Sequence, residues 1–292
     1  MSIETIRPRT GTHLTNDPDC LLAITESISA TGQVLALLNV AISNPRTTIT
    51  ELAAILRRDV MLSARVVRTA NSAFFFNKNS ACKTIEEALQ RVGMREIARL
   101  VATATMQGLA PNRLRAYGIT GDQFNRSVLF TAAASQLLAK EVGMDSNLAY
   151  LSGLMRPLGI LSLNKWAEQS LVHVDHLEWQ DATSLLDWEK RTFGVNHIEV
   201  SCFITRKWAF PALISESIEK SSDQLACPAE SPLALVLQTA ETLAESNRVA
   251  LHAKQQGIHL RKERLEALGI KSVQLIEITR NALGYSRIAT TP

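Results

Sequence analysis

From Thr48 to Ser72 the apolar positions recur at helical spacing, in two runs separated by a polar corner. Leu52, Ile55 and Leu56 make one stripe, because residues three and four apart share a helix face. Thr48 followed by Glu51 predicts a capping box at the start of this helix. Asp59 predicts the cap of a second helix, whose buried face carries Leu62 and Val66 and runs out at Ala70-Asn71-Ser72. An earlier helix is predicted over Val34 to Ile42, ahead of Asn44-Pro45, and another where Ile85, Ala88, Leu89 and Val92 repeat the same face.

Pro111-Asn112 interrupts the pattern, and residues 108–122 have weak periodicity, so that stretch reads as a connection between subdomains. The next helix is expected to start with Asp122 as its cap, to run through Val128, Ala132, Ser135, Leu138 and Ala139, and to stop at Gly143. A helix over Asn147 to Leu154 meets Pro157, which predicts a kink or a new start. Further helices are predicted around Thr183 to Phe193, His197 to Trp208, Pro211 to Ser221 and Pro232 to Ser246, with Gly194 and Pro211 as punctuation. Leu265, Leu268, Ile270, Val273, Ile276 and Leu283 suggest a closing pair of amphipathic helices. The organisation read from these patterns is an amino-terminal helical subdomain over 15–110, a second over 120–250 and a helical extension over 255–292.

Composition narrows the class. With 46% hydrophobic residues and only 13 Gly and 9 Pro in 292 residues, long helices on short connections are favoured over a many-turned β fold. The expected class is all-α, in two packed subdomains. The 31 basic and 28 acidic residues are interspersed, and a net charge of +3 predicts neither a nucleic-acid nor a membrane footprint. Arg261-Lys262-Glu263-Arg264 reads as a solvated helix face. Cys20, Cys82, Cys202 and Cys227 form no Cys-x-x-Cys pair, which suits buried thiols in a reducing cytosol and offers no zinc site. Met1 to Leu14 lacks the apolar core of a secretory signal. Val34 to Ile42, the longest apolar stretch, is interrupted by Asn39 and is too short to span a bilayer. A cytoplasmic protein without a membrane partner is the expectation.

The Thr48 to Ser72 corner resembles the signature of the HDOD family, bacterial helical domains related to HD-type phosphohydrolases. The likeness continues at Thr84-Ile85-Glu86-Glu87-Ala88-Leu89-Gln90-Arg91-Val92-Gly93 and at Gly153-Leu154-Met155-Arg156-Pro157-Leu158-Gly159. The latter stands where the family carries Gly-Leu-Leu-His-Asp-Ile-Gly. Glu189, Phe193-Gly194, His197, Trp208 and Pro211 follow the family spacing. Roughly two thirds of the chain is covered, and the spaced set is more specific than any single motif.

The resemblance also indicates where chemistry would lie. HD-type enzymes gather a His, a His-Asp pair and a later Asp around metal that activates water against a phosphate ester. Here it places Arg126 at the first His and Arg156-Pro157 at the pair, with Glu241 in the last carboxylate position. A protonated guanidinium has no lone pair for a metal, and proline has no side-chain ligand. His197 matches a family histidine at a helix start, read either as a pocket residue or as a structural group bonded to Glu189 or backbone. Lys220-Ser221 replaces a family His-His, and His173 and His176 lack the accompanying Glu of a metal motif. Arg126 and Arg156 could instead face one pocket and attract a phosphate or carboxylate ligand, or could pair with Glu189 or Glu241. The degenerate pocket is thus expected to comprise Arg126, Arg156, Glu189, His197 and Glu241, with no catalytic residue, metal or cofactor.

Gly-x-Ser-x-Gly, P-loop and Gly-x-Gly-x-x-Gly motifs are absent, so acyl transfer and nucleotide-dependent phosphoryl transfer have no support. Three functional classes follow. The favoured one is a non-catalytic signalling or regulatory protein whose partner is another, unidentified signalling protein, with a possible anionic small ligand. The second is a phosphohydrolase or phosphodiesterase with a displaced metal site that uses Glu189, His197 and Glu241. The third is a nucleic-acid binder that presents Arg65, Arg68 and Asn71 from the corner, disfavoured by the acidic Glu51 and Asp59 beside it. Oligomeric state, input signal and pathway are not legible.

Overall fold

The computed structural model describes residue 25 and residues 29–71, 81–169, 185–222, 231–251 and 262–288. Its first helices are α1 (Ser29–Ser43), α2 (Ile49–Leu56), α3 (Val60–Ala70), α4 (Ile85–Val92) and α5 (Met94–Leu109). Thr48 Oγ1 accepts from the Glu51 amide at 3.2 Å, while the Glu51 carboxylate accepts from the Thr48 amide at 2.8 Å. That reciprocal pair is the capping box of α2. At the corner, Asp59 Oδ1 accepts from the Leu62 amide at 3.0 Å, so α3 starts on a side-chain cap. Leu52, Leu56, Leu62, Val66 and Ala70 turn inward and meet Leu89 of α4 and Val101 of α5 in one core. Burying each such leucine stabilises the fold by about 1.5–3 kcal/mol.

A short hairpin lies within the stretch read as the connection between subdomains. β1 (Arg113–Leu114) pairs antiparallel with β2 (Ile119–Thr120), Arg113 opposite Thr120 and Leu114 opposite Ile119. Between them Arg115–Tyr117 form one tight helical turn, closed by Gly118 at φ 65°, a left-handed conformation that glycine adopts without steric penalty. Strands of two residues are too short for an alternation to show in the pattern.

The second group of helices is α6 (Gly121–Glu141), α7 (Ser146–Met155), α8 (Leu158–Gln169), α9 (Leu185–Phe193), α10 (His197–Lys207), α11 (Ala212–Ser221) and α12 (Pro232–Ser246). The cap of α6 is Thr120 rather than Asp122. Thr120 exchanges hydrogen bonds with Gln123 at 2.8 and 3.1 Å, leaving Asp122 inside the first turn, where a carboxylate favours the positive helix end. Arg156 and Pro157 form the break between α7 and α8, consistent with the missing proline N–H.

Two glycines bracket that break for packing reasons. A Cβ on Gly153 would stand 3.0 Å from Ala132 Cα of α6, and one on Gly159 would stand 2.1 Å from the His197 carbonyl oxygen of α10. They let α7 and α8 approach neighbouring backbones. The chain continues into α13 (Lys262–Leu268) and α14 (Ser272–Ile288). Ile278 and Ala282 of α14 are buried with Phe130 and Leu138 of α6 and Leu243 of α12. The described fold is all-α apart from the hairpin, and none of its described helices is long and apolar enough to cross a membrane.

Candidate functional site

Two adjoining polar sets occupy the region around the α7–α8 break. The first is built on Arg156, which the Pro157 break leaves at the end of α7. Its guanidinium is ion-paired with Glu241 of α12, and its Nε donates to Ser221 Oγ of α11 at 3.0 Å. The two charged side chains are 14% and 25% exposed, so the pair is largely withdrawn from water. Backbone bonds hold the arginine in place. Ser201 Oγ of α10 donates to the Arg156 carbonyl at 2.6 Å and accepts from the Gly159 amide at 2.8 Å, spanning the break from the facing helix.

Glu245 lies one turn beyond Glu241 on α12. Burial and then the Glu241 charge raise its carboxyl to about 7, an effect that Arg156 partly opposes. Thus one cation faces two carboxylates, which the spacing of four residues places on one helix face.

The second set is centred on Glu189, whose side chain is fully buried. Gly194 at φ 77° ends α9, and Asn196 caps α10 by exchanging bonds with Glu199 at 3.0 and 2.9 Å. This tight turn returns His197 to Glu189. One carboxylate oxygen accepts from the His197 amide at 2.8 Å and bonds His197 Nδ1 at 2.7 Å; the other accepts from Tyr117 Oη at 2.8 Å. Burial, reinforced by the Glu189 charge, holds the Tyr117 phenol well above its ordinary titration range, so it remains a donor. Tyr117 also meets Trp188 edge to face, and the hairpin is anchored by its Ala116 amide donating to Asn164 Oδ1 of α8 at 3.0 Å.

His197 Nε2 is buried without a hydrogen-bond partner, but its other ring nitrogen is tied to Glu189. Cys202 lies on the same helix, where burial pushes its thiol to about 12. This holds it as a neutral thiol at neutral pH.

Of the two arrangements open to Arg126 and Arg156, a shared anion pocket or pairing with a carboxylate, Arg156 adopts the second and Arg126 neither. Arg126 is exposed near the start of α6 and joins neither bonding set, while Arg156 is neutralised by Glu241. The reason is helical phase: Phe124, Ser127, Val128 and Thr131 occupy the buried face, leaving position 126 outward. His173 and His176 lie outside the described residues. At the corner, Asn71 bonds the Cys82 backbone through both side-chain atoms at 2.8 and 2.7 Å, and Arg65 donates to Gln107 at 3.1 Å. Two of the three groups suggested for nucleic-acid contacts are therefore already engaged.

The residues present do not fit the metal centre of an HD enzyme. A cation and a proline stand at the His-Asp positions, and Glu241 is paired with that cation. Among the described residues, no three His, Cys, Asp or Glu side chains gather as a metal-binding group. Tyr117, Ser201, Ser221 and Glu245 complete the polar architecture without having been expected. Of these, Glu245 had a readable signal in its four-residue spacing from Glu241.

Comparison with known proteins places the fold. The HDOD domain pattern matches residues 28–224, and the chain belongs to the HDOD domain family. A crystal structure of an HDOD domain protein from Geobacter sulfurreducens, of unknown function, superposes with a TM-score of 0.67 at 18% identity, covering 93% of this chain and 97% of that one. A Shewanella amazonensis SB2B protein described as a candidate phosphohydrolase gives 0.66 at 21% identity, over 92% and 97% of the two chains. A candidate signal transduction protein from Marinobacter aquaeolei VT8 gives 0.67 at 18% identity, over 94% and 66%. An uncharacterized protein of Treponema pallidum (strain Nichols) is 24% identical over 184 residues, covering 61% of this chain and 34% of the relative. The chain thus spans about a third of that curated relative's length.

Proposed function

We propose that this is a non-catalytic regulatory protein of bacterial signal transduction, acting in the cytoplasm by binding another protein. The observation that carries this reading is the Arg156–Glu241 ion pair, anchored by Ser221. It occupies the position at which the family resemblance would require metal ligands. A guanidinium there supplies positive charge to the remaining carboxylate but has no donor electron pair and no exchangeable water. The pair therefore fulfils a structural part of a metal's role, linking α7, α11 and α12, without the chemistry. The neutral Cys202 thiol and the fully buried Glu189 likewise serve the interior.

Such a protein transmits information through its surface, which its packed core holds in place. The test is complementation of a chromosomal deletion, combined with cross-linking of the full chain in cells and identification of captured proteins. A reproducible partner is expected, along with retained complementation by Glu241→Gln at equal protein level. Failure to capture any partner, or loss of complementation by that conservative variant, would overturn the reading.

A further inference from the structure

A cleft of about 670 Å³ opens beside the α2–α3 corner, away from Arg156 and its partners. Arg57, from the end of α2, lines it, together with Arg68 on α3 and Lys83 just before α4. Ala64, Val67 and Ile85 supply an apolar surface between these cations. Arg57 is paired with Glu86. Arg68 and Lys83 are exposed and carry no ion pair among the described residues. Thr84 and Ile85 bring the amino-terminal end of α4 to the same cleft, where Glu87 accepts from the Lys83 and Thr84 amides and closes that helix end.

We propose that this cleft docks an acidic segment of a protein partner. An apolar side chain of that segment lies against Val67 and Ile85, and flanking carboxylates approach Arg68 and Lys83. The assignment rests on the reading above that the chain acts by binding protein, and it specifies where and with what chemistry. Its basis is charge complementarity: two uncommitted cations flank an apolar wall on an open surface. A nucleic acid is the poorer occupant. Asn71 and Arg65 are engaged elsewhere, and a phosphate backbone has no apolar group for the wall.

The test uses the full chain and a fluorescein-labelled random copolymer of glutamate and tyrosine, followed by fluorescence anisotropy at low salt. Wild-type protein is expected to bind. The Arg68→Glu/Lys83→Glu variant should weaken binding by about tenfold or more, and Arg68→Gln/Lys83→Gln by an intermediate factor. Lys140→Glu/Lys207→Glu, which makes the same change in net charge at exposed positions elsewhere, should stay within about twofold of wild type.

Absence of wild-type binding, equal losses in the two charge-reversed variants, or more effective competition by duplex DNA than by unlabelled copolymer would overturn the assignment. The cleft and the broader reading fail separately. If cross-linking finds a partner that the Arg68→Glu/Lys83→Glu variant still captures, the cleft assignment falls and the regulatory reading stands. If no partner is found at all, the regulatory reading falls, while the copolymer measurement still judges the cleft chemistry.

Discussion

Replacing Arg156 with methionine keeps much of the aliphatic stem while removing the cation between α7, α11 and α12. Two interactions are lost, the ion pair to Glu241 and the hydrogen bond to Ser221. Breaking a fully buried pair costs about 3–5 kcal/mol, whereas exposed pairs contribute about 0–1 kcal/mol. With side chains 14% and 25% exposed, this pair lies nearer the buried limit, and a loss of about 2–3 kcal/mol is expected. At about 2.1 cal/mol/K of unfolding entropy per residue, a chain of 292 residues would lose roughly 3–5 °C in Tm. The abandoned Glu241 would face Glu245, so Arg156→Met/Glu241→Leu should recover at least about half of the loss. Urea and thermal unfolding of wild type, both single variants and the double variant would measure the coupling. A shift below about 1 °C for Arg156→Met, or a double variant at the sum of the singles, would refute the argument.

The raised Glu245 carboxyl makes a pH prediction. The folded state retains its proton up to about 7, whereas the unfolded chain releases it near 4.5. The favourable contribution is therefore fully present below about 4.5 and lost as the pH rises through about 7; Glu245→Gln should flatten that part of a denaturant-midpoint profile, and an unchanged profile would contradict the assignment. Gly159→Ala should destabilise by roughly 3 kcal/mol or more in urea unfolding, because its Cβ meets the His197 carbonyl, whereas Gly284→Ala in the open interior of α14 should stabilise by about 0.5–1 kcal/mol. Glu189→Gln should lose about 2–3 kcal/mol by facing an amide donor toward His197 or Tyr117, and Tyr117→Phe about 1 kcal/mol or more, both read from the same unfolding curves.

Local signals accounted for much of this architecture. Thr48 with Glu51, Asp59, Pro157 and Gly194 act within one helical turn, so their bonds and dihedrals were legible from neighbouring residues. The hairpin over 113–120 was hidden because two-residue strands carry no period and Tyr117 is buried by contacts from α8 and α9. Asp122 looked like a cap because its type is suitable, but Thr120 prevailed because Gln123 reciprocates its bond. At the site, the change of residue type at Arg156-Pro157 was visible in the sequence. Its pairing with Glu241 required the packing of α12 across α7, and the outward phase of Arg126 could not be read from motif position alone. The same limit applies to Ser201, whose hydroxyl matters because α10 crosses the break in front of it.

The central claim is that Arg156 and Glu241 form a structural ion pair rather than part of a hydrolytic metal centre. Calorimetric titration of the full chain with manganese, followed by hydrolysis of bis(p-nitrophenyl) phosphate in the same sample, tests it directly. No stoichiometric metal binding and no hydrolysis above the metal-only control are expected. Stoichiometric manganese with turnover that disappears in Glu241→Gln would contradict it.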